Sequence, residues 1–183
     1  AGATIRLAFY HVAGRALSYN ADESTGWYID DVQIVTAVPA FTGDFEAGWA
    51  GWGADRGVWQ VGTPTAGAAS CYTGAQCAGT ELGGNYGAYT DSRLISPTMT
   101  LPTVVGTEEV HLRFQNWFSY AASDSGQVQV QVWDSLTSTW GAWVNEGIAV
   151  VNTSGWSLKD VDLTAHAGAT IRLAFYHVAG RAL

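Results

Sequence analysis

Acidic side chains at two places in the chain have the chemistry to hold a hard cation. Asp44 and Glu46 are two residues apart, so on a predicted opening strand both side chains point to the same face. Calcium takes about six to eight oxygen ligands, so these carboxylates suit it as part of a set. The alternative is that they only keep an edge strand soluble. Asp30 and Asp31 are adjacent, point to opposite faces of a regular strand, and so cannot act as a catalytic carboxylate pair.

Cys71 and Cys77 are the two cysteines of the sequence, with residues 72–76 between them. This spacing fits a small disulfide-closed loop better than a zinc knuckle, which needs further ligands, or a redox C-x-x-C motif. A disulfide indicates an oxidising compartment, so we expect a secreted or cell-surface protein. Asn152 begins a glycosylation sequon, but such short matches are common and do not decide whether it is modified.

Seven of the nine tryptophans allow two interpretations, a sugar-stacking platform or a hydrophobic core. They are Trp49, Trp52, Trp59, Trp133, Trp140, Trp143 and Trp156. Core positions are favoured for most of them, and alternation with polar neighbours predicts that Trp117 and Trp133 point inward. Trp140 and Trp143 lie in a turn rich in serine, threonine and glycine, and we expect them to be the most exposed. They are therefore the candidate glycan contacts.

The sequence contains no recognisable catalytic motif. G-x-S-x-G, H-E-x-x-H and glycine-rich phosphate loops are all missing from it. His11 and His177 are the same position in two copies of a duplicated segment, while His111 and His166 have no partner motif nearby. We therefore expect a protein that is not an enzyme.

The duplicated segment is AGATIRLAFYHVAGRAL, which occupies residues 1–17 and recurs without a mismatch at residues 167–183. The repeat length is that of a whole domain and far exceeds the roughly 20 to 50 residues of solenoid repeats. This predicts an array of near-identical units, of which the chain is a piece cut inside a unit. The alternative is an artefact, such as a cloned overlap or a circularly permuted design.

A boundary between two units is predicted at residues 36–40, where a strand-like run ends at Pro39. Residues 1–39 would then be the C-terminal strands of one unit, and residues 40–183 the body of the next. The length of 183 residues suits one sizeable core.

The sequence argues against nucleic acid as a partner and against a membrane-spanning segment. Acidic residues outnumber basic ones 16 to 8, giving a net charge of −8, so a phosphate backbone would be repelled and nucleic acid is not expected. No apolar run approaches the roughly 18 residues of a membrane span.

Short segments with alternating apolar and polar residues dominate the chain, and glycine-, serine- and asparagine-rich turns separate them. In residues 127–132, three valines lie on one face and three glutamines on the other, which predicts a half-buried strand. The pattern predicts an all-β fold with two antiparallel sheets packed as a sandwich or jelly roll. The other predicted strands are residues 4–12, 27–35, 57–61, 93–101, 109–118, 156–163 and 170–178.

A series of landmarks resembles the MAM-like jelly-roll domains of secreted bacterial proteins, including the choice-of-anchor and cleaved-adhesin groups. The resemblance implies an accessory module beside a peptidase, an adhesin repeat or a carbohydrate-binding relative, often with a structural calcium ion between the first and last strands. The landmarks are residues 41–49 (FTGDFEAGW), 59–64 (WQVGTP), 79–86 (GTELGGNY), 94–97 (LISP), 112–117 (LRFQNW), 154–156 (SGW) and 26–32 (GWYIDDV).

The GWYIDDV segment departs from the family order, because in this chain it precedes the body of the unit. The resemblance places this closing strand beside the opening one, which adds Asp30 or Asp31 to Asp44 and Glu46 as calcium ligands. Residues 18–39 are then the predicted donor of the missing strand, either by folding back or by docking on a neighbouring copy.

The sequence thus predicts a non-enzymatic extracellular repeat that is structural or adhesive. Its units would assemble head to tail into a fibre or surface array. The alternative function is a carbohydrate-binding module that is accessory to a secreted enzyme.

Overall fold

The computed structural model describes residues 43–121 and 124–179. In this part of the chain the regular structure is β-strand, apart from one 3₁₀ turn at Thr164–His166. The strands are β1 Gly53–Ala54, β2 Gln60–Gly62, β3 Cys77–Gly79, β4 Asp91–Ile95, β5 Met99–Thr100, β6 His111–Ser119, β7 Ser125–Asp134, β8 Thr139–Trp140, β9 Val144–Val150, β10 Thr153–Asp162 and β11 Thr170–Val178.

The larger sheet has seven strands, and β11 is at its centre. The strand order is β1-β4-β11-β7-β8, with β5 also paired to β11 and β9 also paired to β7. All of these pairings are antiparallel. Both edges of β11 are therefore hydrogen bonded, with Phe175 paired to Leu94 of β4 on one side and to Val128 of β7 on the other.

A second antiparallel sheet consists of β6 and β10, and a third pair joins β2 to β3. In the second sheet Leu112 is opposite Val161 and Phe114 is opposite Lys159, with an irregularity in register between Ser154 and Ser157. The inner face of this sheet packs on the inner face of β7 and β11. The core so formed contains Leu101, Val110, Val128, Val130, Val161, Leu163, Ile171 and Leu173, with Leu112 and Phe114 packed against it.

These contacts confirm the predicted all-β sandwich. Burial of apolar side chains at every second residue of β7 and β11 explains the architecture, since each sheet must cover one apolar face. The alternation predicted for residues 127–132 is also confirmed, because Val128 and Val130 are in the core.

Gln129 and Gln131, on the opposite face, are nonetheless only 6% and 8% exposed. Something must therefore cover the outer face of the large sheet.

Two of the predicted tryptophan positions are wrong. Trp133 is in register with Gln129 and Gln131 on β7, so it lies on the outer face and not in the core. Trp117 alternates with Phe114 on β6, so it also lies away from the core, and its ring packs against Gly67. Both rings are half-buried by loops or neighbouring side chains rather than by the core.

The predicted strand at residues 93–101 is interrupted. It is divided into β4 and β5 at Ser96 and Pro97, because proline lacks the N–H that a central ladder requires. The edge strand β9 was not predicted, since VNEGIAV has no clear alternation and Gly147 adopts a φ of 64°.

The predicted boundary near Pro39 and the predicted strands at residues 4–12 and 27–35 lie outside the described residues. Among the residues that are described, no helix is long and apolar enough to cross a bilayer.

Candidate functional site

The outer face of the large sheet is covered by a row of alternating aromatic and arginine side chains, which we call the Arg–aromatic ladder. Its members, in spatial order, are Trp140, Arg172, Trp143, Arg93 and Tyr176. Because Ile171 and Leu173 of β11 face the core, Arg172 between them faces outward. Arg93 of β4 reaches the same surface, so the ladder crosses several strands.

Each arginine of the ladder lies against two rings. The Cζ atom of Arg172 is 4.5 Å from the ring centroid of Trp140 and 5.4 Å from that of Trp143. The Cζ atom of Arg93 is 5.6 Å from the centroid of Trp143 and 4.2 Å from that of Tyr176. These distances lie within the range of cation–π attraction, which is stronger where the cation is partly removed from water.

Glutamines beneath the ladder fix both guanidinium groups. Arg172 Nε donates to Gln131 Oε1 at 2.7 Å, and Arg93 Nε donates to Gln129 Oε1 at 2.8 Å. Each glutamine amide donates in turn, Gln131 to the carbonyl of Gly141 at 2.6 Å and Gln129 to Asn145 Oδ1 at 2.8 Å. Both glutamine side chains therefore have partners for their oxygen and nitrogen, which explains why the sheet can bury them.

The two arginines differ in their charge partners. Arg93 Nη1 is 3.3 Å from Asp55 Oδ2, and its backbone N–H donates to the other oxygen of the same carboxylate. Arg172 forms no ion pair with any described residue. Partial burial lowers the pKa of the Arg172 guanidinium from its ordinary value of 12.5. Arginine side chains nonetheless stay charged in proteins. Arg172 is thus a half-buried cation that has no carboxylate partner among the described residues.

The predicted glycan contacts Trp140 and Trp143 are brought together by the ladder. The prediction that they are the most exposed tryptophans is wrong, because Trp49 is 38% exposed whereas both of these are half-buried. The guanidinium of Arg172 lies between them, and the ring of Trp133 packs on Trp140 at 5.3 Å. Sequence reasoning did not find Arg93, Arg172 or Tyr176. The available signal was the alternation of β11, which places Arg172 and Tyr176 on the face opposite Leu173.

The disulfide predicted between Cys71 and Cys77 is confirmed, with a Cα–Cα distance of 5.7 Å. The loop that it closes is held by Glu46. One carboxylate oxygen of Glu46 accepts hydrogen bonds from the backbone N–H groups of Ala75 at 3.0 Å and Gln76 at 2.9 Å. The side-chain amide of Gln76 donates back to the carbonyl of Glu46 at 3.0 Å. Glu46 therefore joins the start of the described chain to the disulfide loop.

The predicted calcium ligands are only partly described. Asp44 and Glu46 do not share a strand face as predicted, because residues 46–50 form a turn and Asp44 Oδ1 accepts from the backbone N–H of Glu46 at 3.1 Å. Asp30 and Asp31 lie outside the described residues. Within the described residues, no group of three or more histidine, cysteine or acidic side chains could hold a metal ion. Calcium binding by Asp44, Glu46 and one of Asp30 or Asp31 stays a prediction.

A buried polar cluster surrounds His177 at the end of β11. His177 is fully buried and lies 2.9 Å from Thr90 Oγ1 and 3.3 Å from the hydroxyl of Tyr120. The hydroxyl of Tyr86 donates to Asp124 at 2.7 Å, and its ring meets that of His177 edge-on. Burial raises the pKa of Tyr120 far above its ordinary value. From the sequence, no partner motif was predicted near the histidines, and the buried polar surroundings of His177 were not expected.

Between the two sheets there is a cavity of about 100 Å³, lined mainly by apolar side chains of β6, β7, β9 and β11. Phe114, Phe118, Val128 and Phe175 are among them. The described part of the small sheet has two strands, and it faces a sheet of seven.

Comparison with known proteins finds a similarity to part of a bacterial protein. The chain is 30% identical over 152 residues to Bacillopeptidase F of Bacillus subtilis (strain 168). The match covers 79% of this chain but 10% of that protein, so the chain corresponds to a small part of its length. No family model matches the chain. No solved structure matches it either.

Proposed function

We propose that the chain belongs to a non-enzymatic extracellular protein, structural or adhesive, in which units of this sandwich follow one another in tandem. The observation that supports this most strongly is the position of β11. Residues 170–178 occupy the central slot of the large sheet, with both edges paired and with Ile171 and Ala174 completely buried. Residues 4–12 have the identical sequence and cannot occupy the same slot. They would build the equivalent strand of another unit.

Joining of units by strand donation is the second part of the proposal. The small sheet has two strands in the described chain, and a cavity remains beneath it. A further strand beside β6 or β10 would satisfy an open backbone edge and cover apolar surface. Residues 18–39 are the proposed donor, supplied by a neighbouring copy. Such contacts are heterologous and do not close on themselves, so they produce a filament.

The disulfide supports secretion, and a sequence similarity supports an accessory role. The disulfide between Cys71 and Cys77 is of a kind that persists in oxidising compartments. The similarity to part of Bacillopeptidase F, whose name denotes a peptidase, suggests a module that accompanies a larger protein. Because the match covers 10% of that relative, peptidase activity is not proposed for this chain. The MAM-like jelly-roll assignment agrees with this accessory role and is part of the proposal.

Electron microscopy and light scattering of the purified chain test the assembly. We expect concentration-dependent head-to-tail oligomers that lengthen into filaments, and we expect deletion of residues 1–39 to abolish them and leave an aggregation-prone body. A soluble, well-folded monomer from that deletion, or a full chain that stays monomeric at every concentration, would contradict strand donation.

A carbohydrate-binding module is the second candidate function. The specific observation in its favour is the Arg–aromatic ladder, which places Trp140 and Trp143 on either side of Arg172 on the outer face of the large sheet. A glycan array with the native chain, Trp140→Ala and Trp143→Ala tests it. We expect binding by the native chain that both variants reduce, and binding to no glycan would remove this candidate.

A further inference from the structure

We propose that the Arg–aromatic ladder binds a polysaccharide that carries carboxylate groups, and that Arg172 is the residue that recognises the carboxylate. This inference rests on the proposed carbohydrate-binding function and specifies its ligand class. It depends on three features of the site, which are the unpaired charge of Arg172, its fixed orientation and the rings that flank it.

The charge of Arg172 is unbalanced within the described chain. Arg56 pairs with Asp91, Arg93 with Asp55 and Arg113 with Asp160, whereas no ion pair involves Arg172 among the described residues. Acidic side chains outnumber basic ones in the sequence, so an unpaired arginine at this position is unusual and not a consequence of excess positive charge. An anionic ligand contributes the most binding free energy where it pairs with a half-buried guanidinium that has no carboxylate partner.

The orientation of Arg172 is fixed before any ligand arrives. Its Nε is hydrogen bonded to Gln131, and the rings of Trp140 and Trp143 lie beside its guanidinium plane. The Nη groups have no partner in the described chain and remain free to donate. A planar guanidinium held in this way can form two parallel hydrogen bonds to one carboxylate, with little further loss of side-chain entropy.

The surrounding rings favour a sugar over a simple anion. Trp140 and Trp143 flank the guanidinium, so a ring that carries the carboxylate can place its C–H groups against an indole while its charge reaches Arg172.

A tandem array would strengthen this weak single contact. Each unit would offer the same guanidinium, so a long acidic sugar chain could bind several units at once and gain avidity. The proposed array and the proposed ligand are therefore compatible, although the ligand assignment can be tested on the single chain.

The test compares polygalacturonate with its fully methyl-esterified form, which has the same sugar ring without the charge. Affinity electrophoresis or calorimetry of the 183-residue chain at low salt should show binding to the free acid at least tenfold tighter than to the ester. The preference should weaken as salt is added. Equal binding of the native chain to the free acid and to the ester would by itself overturn the proposal.

Matched arginine variants locate the site. Arg172→Gln should lose at least tenfold in affinity for the acid, and Arg172→Lys should retain part of it, because it keeps the charge but not the planar fork. Arg113→Gln, on the outer face of the small sheet, removes the same charge elsewhere and should leave binding unchanged. Equal losses in Arg172→Gln and Arg113→Gln would contradict the assignment. Circular dichroism checks that each variant is folded.

The outcome also separates this inference from the function on which it rests. Binding to neutral glycans that Trp143→Ala removes and Arg172→Gln does not would keep the carbohydrate-binding function and overturn the acidic ligand. Absence of binding to every glycan, acidic or neutral, would remove both.

Discussion

The Nε2 atom of His177 lies 2.9 Å from the hydroxyl oxygen of Thr90 in the interior of the sandwich. That hydroxyl donates its own proton to the carbonyl of Gly87 at 2.9 Å, so it must accept from His177. The other ring nitrogen, Nδ1, is then the acceptor for the hydroxyl of Tyr120 at 3.3 Å. These hydrogen bonds are satisfied by a neutral imidazole protonated on Nε2, whereas a second proton on Nδ1 would force the Tyr120 hydroxyl to change from donor to acceptor.

This relationship predicts that acid destabilises the fold through His177. Burial lowers the pKa of His177 below 6.5, against a smaller opposite effect of the carboxylates of Asp124 and Asp91. The unfolded chain therefore binds the proton more readily, and the stability due to neutral His177 is present above pH 6.5 and lost as pH falls toward the folded-state pKa. Urea unfolding at a series of pH values should show a smaller free energy of unfolding below pH 6.5.

His111 gives the control for that experiment, because its pKa is shifted in the opposite direction. Hydrogen bonds to Glu109 and Asp160 raise the pKa of His111, so its contribution is present below 6.5 and lost as pH rises through the folded-state value. His111→Gln should steepen the loss of stability in acid, whereas His177→Gln should flatten it. If both variants keep the native pH profile, neither histidine controls it.

The disulfide should stabilise the fold mainly by restricting the unfolded chain. For the short loop between Cys71 and Cys77, chain-entropy arguments give a contribution of about 2 kcal/mol. The double variant Cys71→Ser with Cys77→Ser should lower the urea midpoint accordingly, and reduction of the native protein should have the same effect. Reducing agent should not change the double variant. A reduced native protein with an unchanged midpoint would show that the loop is stable without its covalent closure.

Glu46 contributes to the same loop and also belongs to the predicted calcium set. If calcium binds Asp44, Glu46 and one of Asp30 or Asp31, it stabilises the folded state by mass action, and excess chelator should lower the melting temperature. Asp44→Asn should abolish that chelator effect. Glu46→Gln should destabilise the protein even in chelator, because its carboxylate accepts hydrogen bonds from Ala75 and Gln76. An unmoved melting curve, with no metal in the purified protein, would exclude the site.

The sequence predicts strands well where one face is apolar and the other is polar. The alternation over residues 170–178 matches β11 in both of its bounds, and that over 127–132 identifies the inner face of β7. It fails at the edge strand β9, whose sequence VNEGIAV does not alternate and leaves Val144 and Ile148 exposed. A strand such as β9 is held by its neighbour β7, and its own residues carry little signal.

The candidate site depends on contacts that no local pattern contains. Trp143 could be singled out as a tryptophan in a turn, but its neighbours Arg93 and Arg172 come from β4 and β11, far away in sequence. Only the strand order, with β11 between β4 and β7, brings them to one face. The disulfide could be predicted because its two cysteines are close in sequence and have no competing partner.

The two copies of the duplicated segment allow a direct test of the tandem arrangement by substitution of equivalent residues. Ile171 is completely buried in β11, so Ile171→Ala should cost about 2 to 4 kcal/mol of unfolding free energy, from lost apolar contact and the cavity left behind. Ile5 is the same position of the first copy. If that copy belongs to another unit, Ile5→Ala should change the stability of the described sandwich by less than about 0.5 kcal/mol. Urea unfolding followed by tryptophan fluorescence measures both, and hydrogen exchange at β7 and β4 reports the sandwich specifically. The reverse result, a large loss for Ile5→Ala and a small one for Ile171→Ala, would mean that the first copy occupies the central slot and would contradict the tandem interpretation.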